Sequence, residues 1–382
     1  MKTIIKAEIV AHSINEQGDE LISVLATFPR IILAEVNTHR MLSKNTSSSR
    51  AIPFNKMVDT IKEDSFIPIA WQKAHSGMQG TEYFDNHFSI TGNYNLDTNY
   101  GFWMDARDEA VRYAECLDSE GLTKQLANRL LEPFMWTTML ITGPKSGWDN
   151  FFNLRCPSYT FHTDESEKDF VFRSKKDVIT NFGESEWVED GFDKPLKDFT
   201  SLDWLKVNYG QAEIHMMALA ECIWDAYNES TPKQLKAGEW HIPFGDKMDI
   251  SSEEYINITG KIILKTKDLI KIKVKSSVAM AARTSYTIVG EEKALDYEAL
   301  VGLHDRLLAQ DPPHSSPLEH CARAMNPLEH ETYIKGVIEL IDLAEPEYNG
   351  GIYEPKFSEK GWCNNFKGFI PYRYLVDNKV SV

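Results

Sequence analysis

Two short β-rich apolar runs, 2–11 and 21–28, flank the polar turn Asn15-Glu16-Gln17-Gly18 and predict two strands. Pro29 then stands where proline is tolerated, at the first position of a helix, and Ile31, Ile32, Leu33, Ala34 and Val36 carry that helix to Thr38-His39-Arg40. Ser43 to Arg50 has the composition of a loop, ending at Pro53. Residues 75–101, rich in Gly, Asn, Asp and Tyr, read as a long surface insertion. Apolar spacing of three and four predicts helices over 105–118, 122–131 and 133–142, and a further one near 147–155. The stretch 157–207 switches to mixed charge with aromatics and reads as an inserted subdomain or lid. Gln211 opens another helix running to about Tyr227, and a Lys/Ile-rich run over 261–274 reads as a strand.

A chain of 382 residues forms one large domain with insertions, or two domains. Its apolar share of 42% and charged share of 26% are those of an ordinary folded protein. The formal net charge of -16 repels the phosphate backbone of a duplex, which excludes broad nucleic-acid binding but leaves room for one local basic pocket. No run approaches the roughly 20 apolar residues a bilayer span needs, and Lys6 and Glu8 interrupt the N-terminal apolar run, so no membrane anchor or secretory leader is expected. The five cysteines are scattered with no C-x-x-C pair, so the expectations are a reducing cytoplasm, no disulfide framework and no metal site.

The stretch from Thr38 to Arg50 is the richest in candidate chemistry. On a helix over 30–40, Glu35, Thr38 and His39 share one face, and the Ser/Asn segment beyond offers hydroxyl and backbone donors backed by Arg40 and Arg50. Such a group suits a phosphate and an aromatic ring; the plain alternative is a solvated polar helix end.

His39-Arg40, seven residues, Ser48 and then Arg50 resemble the signature of the flavin-dependent thymidylate synthases. Downstream, Phe66-Ile67-Pro68 with Trp71, the segment Gly121 to Pro133 with Arg129, Asn150-Phe151-Phe152-Asn153-Leu154-Arg155, and Gln211-Ala212-Glu213-Ile214 are similar to further motifs of that family in the family's order. Ala281-Ala282-Arg283-Thr284-Ser285-Tyr286 and His314-Ser315-Ser316-Pro317-Leu318-Glu319-His320 also resemble family motifs, but ones that ordinarily precede the rest. A circularly permuted member explains this order economically, since compact domains tolerate permutation. The resemblance covers roughly 30–225 and 275–325. It implies an α+β fold, a mixed or antiparallel sheet packed with a helical layer, plus inserted subdomains. In that reading 1–156 and 208–330 form one catalytic domain, 75–104 is a surface insertion, 157–207 an inserted subdomain or lid, and 331–382 an extension packing back on the domain.

The resemblance further implies FAD as cofactor, NADPH as reductant, methylenetetrahydrofolate as co-substrate, a deoxypyrimidine monophosphate (dUMP or dCMP) modified at C5, and a homotetramer with shared sites. Carried over by motif position, Glu35, Ser48, Arg50, Arg129 and Arg155 would hold the nucleotide, with Arg50 and Arg129 at its phosphate and Arg155 at the pyrimidine. His39, Arg40, Asn150, Ser285, His314, Ser316 and Glu319 would line the flavin, and Arg155, His39 and His314 would be catalytic. The chain departs from the family pattern at Glu35, Thr38, Thr46, Pro144 and Ser146, which motivates a rival reading as a nucleotide- or flavin-binding protein without catalysis. Cys156-Pro157 is similar to the nucleophilic Cys of the flavin-free thymidylate synthases, without their other motifs. His241 is expected to be a buried structural histidine, and an Arg is expected to return to the site from Asn365–Arg373.

Overall fold

The computed structural model describes residues 2–76, 80, 82–84, 99–163, 166–182, 195–286, 295–311, 313–333 and 365–379. Most of the 75–104 insertion and of the 331–364 stretch therefore lies outside the described residues. The strands are β1 (Lys6–Asn15), β2 (Glu20–Pro29), β3 (Ser43–Thr46), β4 (Trp136–Pro144), β5 (Tyr159–Thr163), β6 (Ser166–Phe172), β7 (Lys233–Leu235), β8 (Trp240–His241), β9 (Ala322–Ala324) and β10 (Phe369–Pro371). The helices are α1 (Leu33–Asn37), α2 (Phe54–Asp64), α3 (Asn99–Ser119), α4 (Lys124–Ala127), α5 (Lys145–Arg155), α6 (Lys175–Phe182), α7 (Ser201–Lys206), α8 (Ile214–Glu229), α9 (Ser252–Thr259), α10 (Thr266–Thr284), α11 (Tyr297–Leu308) and α12 (Tyr372–Asp377).

The fold is α+β. Its main sheet has the order β3-β4-β2-β1-β7, antiparallel throughout except that β1 and β7 run parallel. Period-2 alternation directs Ile22, Val24, Ala26 and Phe28 of β2, with Met139 and Ile141 of β4, onto α5 and α8, where Trp148, Phe151, Phe152, Met216 and Leu219 complete the largest core. The opposite face buries Val10 and Leu140 against Ala279 and Ala281 of α10 and Leu300 of α11. The sheet thus lies between two helical layers. The C-terminal stretch packs back by pairing β10 with β9. The 157–207 stretch has its own apolar cluster of Tyr159, Val178, Leu196, Trp204 and Val207. Among the described residues no helix is long and apolar enough to cross a membrane, and no group of three His, Cys, Asp or Glu could hold a metal ion.

Four sequence expectations are corrected. Residues 133–142 are not a helix but the end of a 3-10 turn followed by β4; this strand is buried on both faces, so it lacks the alternation that marks a strand and reads as an unbroken apolar run. The Lys/Ile run 261–274 is not a strand; from Thr266 it belongs to α10, whose Ile272 and Val274 are buried while Lys271 and Lys275 reach out, Lys275 to Asp305 at 2.7 Å. Ser43–Thr46 is a strand rather than loop, because its polar side chains find partners inside: Asn45 Nδ2 donates to the carbonyl of Ala281 at 2.9 Å. The helix expected over 30–40 is a 3-10 turn at Arg30–Ile32 followed by α1.

On the α10 face a chain of buried polar side chains crosses the sheet. Ser13 Oγ meets His241 Nδ1 at 2.9 Å, His241 Nε2 meets Ser23 Oγ at 2.9 Å, Ser23 meets Thr142 Oγ1 at 2.6 Å, and Thr142 meets His320 Nδ1 at 2.9 Å. Desolvation holds both imidazoles down at about 3, so they stay neutral.

Candidate functional site

Between α1 and β3 the chain turns at His39, whose ring is buried edge-on against Phe151 of α5 with centroids 4.9 Å apart. Arg155 ends α5, where a cation complements the helix dipole, and its Nε donates to His39 Nε2 at 3.0 Å. A terminal guanidinium nitrogen of Arg155 reaches Thr38 Oγ1 at 3.4 Å. The bond from Arg155 fixes the ring's tautomer: Nε2 carries the lone pair and Nδ1 the hydrogen. Burial and the nearby positive charges of Arg155 and Lys44 push this imidazole down to about 4, so it is neutral at pH 7. Lys44 on β3 donates its ammonium to the His39 carbonyl. Burial holds that ammonium down at about 8.

Glu35 of α1 faces the same region. Burial and the charge of Glu213 raise its pKa, against the opposing pull of Arg155 and His215. Glu213 is itself fixed as the N-cap of α8: Oε2 accepts from the backbone N–H of His215 at 2.8 Å and of Met216 at 3.0 Å. Its Oε1 pairs with His215 Nδ1 at 2.5 Å, and His215 Nε2 accepts from the Ile69 N–H at 3.0 Å. Two carboxylates, a guanidinium and a neutral imidazole therefore share this end of the sheet.

Ser48, Arg50 and Arg129 lie at the other end of β3, more than about 10 Å along the strand at its ordinary rise per residue. There the Ser48 N–H donates to the Ser285 carbonyl at 3.0 Å, so the stretches 38–50 and 281–286 meet through these residues. Glu132 forms the centre of this second cluster. Its Oε1 accepts from Ser49 Oγ and lies 3.1 Å from Arg30 and 3.8 Å from Arg129. Arg50 is exposed, with no side-chain partner among the described residues.

The flavin-side expectations are scattered. Arg40 and Asn150 are exposed; the Arg40 carbonyl accepts from Asn365 Nδ2 at 2.8 Å. His314 is exposed and bonded through its backbone to Leu307 at 3.1 Å, while Ser316 and Glu319 lie on a short 3-10 turn packed against β3 and α10. Glu319 is paired with Arg373 of the C-terminal stretch, which makes no hydrogen bond or ion pair to His39 or Arg155 among the described residues. None of these five is hydrogen-bonded or ion-paired to His39 among the described residues. Cys156 is buried and desolvation pushes its thiol strongly up, away from the thiolate a nucleophile requires.

Arg30, Lys44, Glu132 and Glu213 were not singled out as site residues from sequence. Lys44 carried a signal, as a lone long cation within a run of small polar residues; Arg30 and Glu132 gain their roles chiefly from contacts distant in sequence, whereas Glu213 is fixed locally as the cap of α8 and only the fold brings its charge near Glu35.

The sequence matches no known protein-family model, and no curated protein matches it. Among solved structures, the UMP/dUMP methylase PolB from Streptomyces cacaoi bound with 5-Br dUMP aligns over 60% of this chain and 92% of its own, with 11% identity and a TM-score of 0.36. The same enzyme bound with 5-Br UMP aligns over 60% and 90%, with 12% identity and a TM-score of 0.35. A likeness this slight carries no argument about activity.

Proposed function

We propose that this chain is a pyrimidine-nucleotide-modifying enzyme of the flavin-dependent thymidylate synthase type, transferring a folate-derived one-carbon unit to C5 of dUMP or dCMP. The observation that carries the reading is the bond from Arg155 to His39, which joins two motif residues 116 positions apart in one polar corner. Arg155 retains unused N–H donors there and would polarise a pyrimidine carbonyl, stabilising the charge that develops on it when C5 reacts. His39, locked as a neutral Nδ1–H donor, would hold a polar ring edge without adding charge. The buried Cys156 thiol favours a route without cysteine attack on the base.

The donors at hand fit a flavin: His39 Nδ1–H and the exposed guanidinium of Arg40 have no side-chain partner among the described residues, and Asn150 on α5 offers a further polar group, whereas Ser285 lies with Ser48 at the other end of β3. Bound there, reduced FAD would supply the hydride, with NADPH as its reductant. A homo-oligomer with shared sites, such as a homotetramer, belongs to the same reading.

Purified full-length protein tests the reading. The expected result is bound or bindable FAD with oxidised-flavin absorbance, NADPH oxidation, and release of tritium from C5 of labelled dUMP or dCMP when methylenetetrahydrofolate is present. Protein that neither takes up FAD nor oxidises NADPH overturns it. The rival, a binding protein without catalysis, draws support from Glu132, whose carboxylate already engages Ser49, Arg30 and Arg129; it predicts nucleotide or FAD binding with no tritium release.

A further inference from the structure

Lys44 is a chemical group that the proposed reaction does not use. Its neighbour Asn45 turns its side chain toward α10, so alternation along β3 sends Lys44 to the opposite face, where its ammonium meets the His39 carbonyl. That bond uses one of three N–H donors. Arg155, on the other side of the same histidine, directs two N–H groups to His39 Nε2 and Thr38 Oγ1, out of five. Among the described residues no carboxylate lies within 4 Å of either cation, in a chain with 57 acidic side chains. Their partners are an imidazole, a hydroxyl and a carbonyl, all neutral. Half-buried cations ordinarily acquire a counter-charge, since an uncompensated charge withdrawn from water is costly. Glu35 acts on Arg155 only at longer range.

We propose that Lys44 and Arg155 form two sides of an oxyanion site that takes a phosphate group, with His39 Nδ1–H as a third donor. A tetrahedral phosphate presents enough acceptor oxygens to meet the unused donors of both cations at once. The inference rests on the reading of this corner as a nucleotide site. It adds a phosphate position at the His39 end of β3, distinct from the Arg50 and Arg129 end. The phosphate could be the diphosphate of a dinucleotide such as FAD, bound beside a pyrimidine at Arg155, or that of a mononucleotide, which would then bind here in place of the Arg50 and Arg129 end and present its phosphate rather than its ring to His39; the chemistry is shared.

Lys44 is itself the probe. Burial without a counter-charge holds its ammonium near 8, which favours acylation, and a bound phosphate would restore the ordinary protonation and shield it. Full-length protein is treated with acetic anhydride at pH 8 and the Lys44 peptide quantified by mass spectrometry, with and without inorganic pyrophosphate, dUMP, deoxyuridine or FAD. At least one phosphate-bearing probe should slow acetylation at Lys44 about tenfold, whereas deoxyuridine should not. Lys44→Met should weaken binding of that probe by about tenfold or more, and Lys44→Arg should retain most of it. Protection by dUMP but not FAD identifies the mononucleotide as the source; the converse identifies the dinucleotide. A Lys44 acetylation rate unchanged by every probe overturns the inference, as does full affinity in a folded Lys44→Met. Protection by pyrophosphate in protein that binds neither nucleotide nor FAD would uphold this site while removing the proposed function.

Discussion

Arg30 and Glu132 form an ion pair of 3.1 Å at the end of β3 that lacks Lys44, and the arginine's side chain is only 12% exposed. Arg129 approaches the same oxygen at 3.8 Å with 52% of its side chain exposed. The two arginines therefore differ in what their removal leaves behind. Arg30 also donates to the Ser47 carbonyl at 3.0 Å, and its loss strands both that carbonyl and part of the Glu132 charge. Arg30→Met should cost about 2 to 4 kcal/mol of stability. Arg129→Met should cost at most about 1 kcal/mol, the range of exposed pairs, while weakening nucleotide binding by tenfold or more if Arg129 meets a phosphate. Urea unfolding and nucleotide titration of both variants check this; equal stability losses would contradict the assignment of Arg30 as the structural partner.

Three buried imidazoles set a pH limit on the fold. His39 is held down at about 4, and His241 and His320 at about 3, chiefly by desolvation. Each stays neutral in the folded chain, whereas an unfolded histidine takes up a proton below about pH 6.5. Stability from this source is complete above that pH and falls as the pH drops toward 4, because only the unfolded state gains protons. Each group contributes a slope of up to about 1.4 kcal/mol per pH unit within the window. His241→Asn and His320→Asn should each be less stable than the parent at pH 7.5 yet lose stability less steeply between pH 6 and 5. Urea midpoints across that range measure the slopes, and slopes equal to the parent's would assign the acid sensitivity elsewhere.

Where the sequence was legible, and where it was not, follows from the same packing. The β1–β2 hairpin shows because its turn is polar and its strands are β-rich, and α5 and α8 show because apolar spacing follows the helical period. β4 was hidden by being central: with Met139 and Ile141 on one face and Leu140 and Thr142 on the other, it keeps no alternation to read. β3 was hidden by its polar composition, since only the tertiary partners of Asn45 and Ser47 reveal why it is buried. Motif matching found His39 and Arg155, which do meet. It could not find Lys44, whose significance lies in lacking a counter-charge, or Glu132, two of whose three partners, Arg30 and Ser49, come from distant segments.

The thiols provide an independent check on the chemistry. Cys116 is exposed and Cys222 half-buried with its thiol pushed up to about 11, while Cys156 and Cys321 are buried, the latter pushed up to about 12. Cys363 lies outside the described residues. Only the thiolate reacts readily with a disulfide reagent. In native protein the Cys116 peptide should be modified fast, and Cys156 and Cys321 should stay unmodified until the chain is unfolded, as read by peptide mass spectrometry. Cys156→Ala should retain nucleotide turnover within about twofold, since turnover without the thiol is what a cysteine-independent route requires. Abolished turnover in a stably folded Cys156→Ala would point instead to nucleophilic attack by that thiol.

The choice of pyrimidine turns on Glu35. A carboxylate offers acceptors only, whereas its protonated form offers a donor and an acceptor, as a glutamine does. Burial and the charge of Glu213 raise the Glu35 pKa, so this side chain protonates at a higher pH than an ordinary glutamate, with Arg155 and His215 acting against the shift. If Glu35 reaches the substituent at C4, its ionised form accepts from cytosine's amino group and repels uracil's carbonyl, while its protonated form donates to uracil. The ratio of dCMP to dUMP affinity should then rise with pH through the Glu35 titration. A well-placed base contact discriminates by about 1 to 3 kcal/mol, so the ratio should change about tenfold. Glu35→Gln should shift preference toward dUMP and flatten the pH dependence. Dissociation constants of both nucleotides between pH 5 and 8, for the parent and for Glu35→Gln, test the relation. A ratio that neither varies with pH nor responds to the substitution would leave Glu35 with only its electrostatic place beside Glu213 and Arg155.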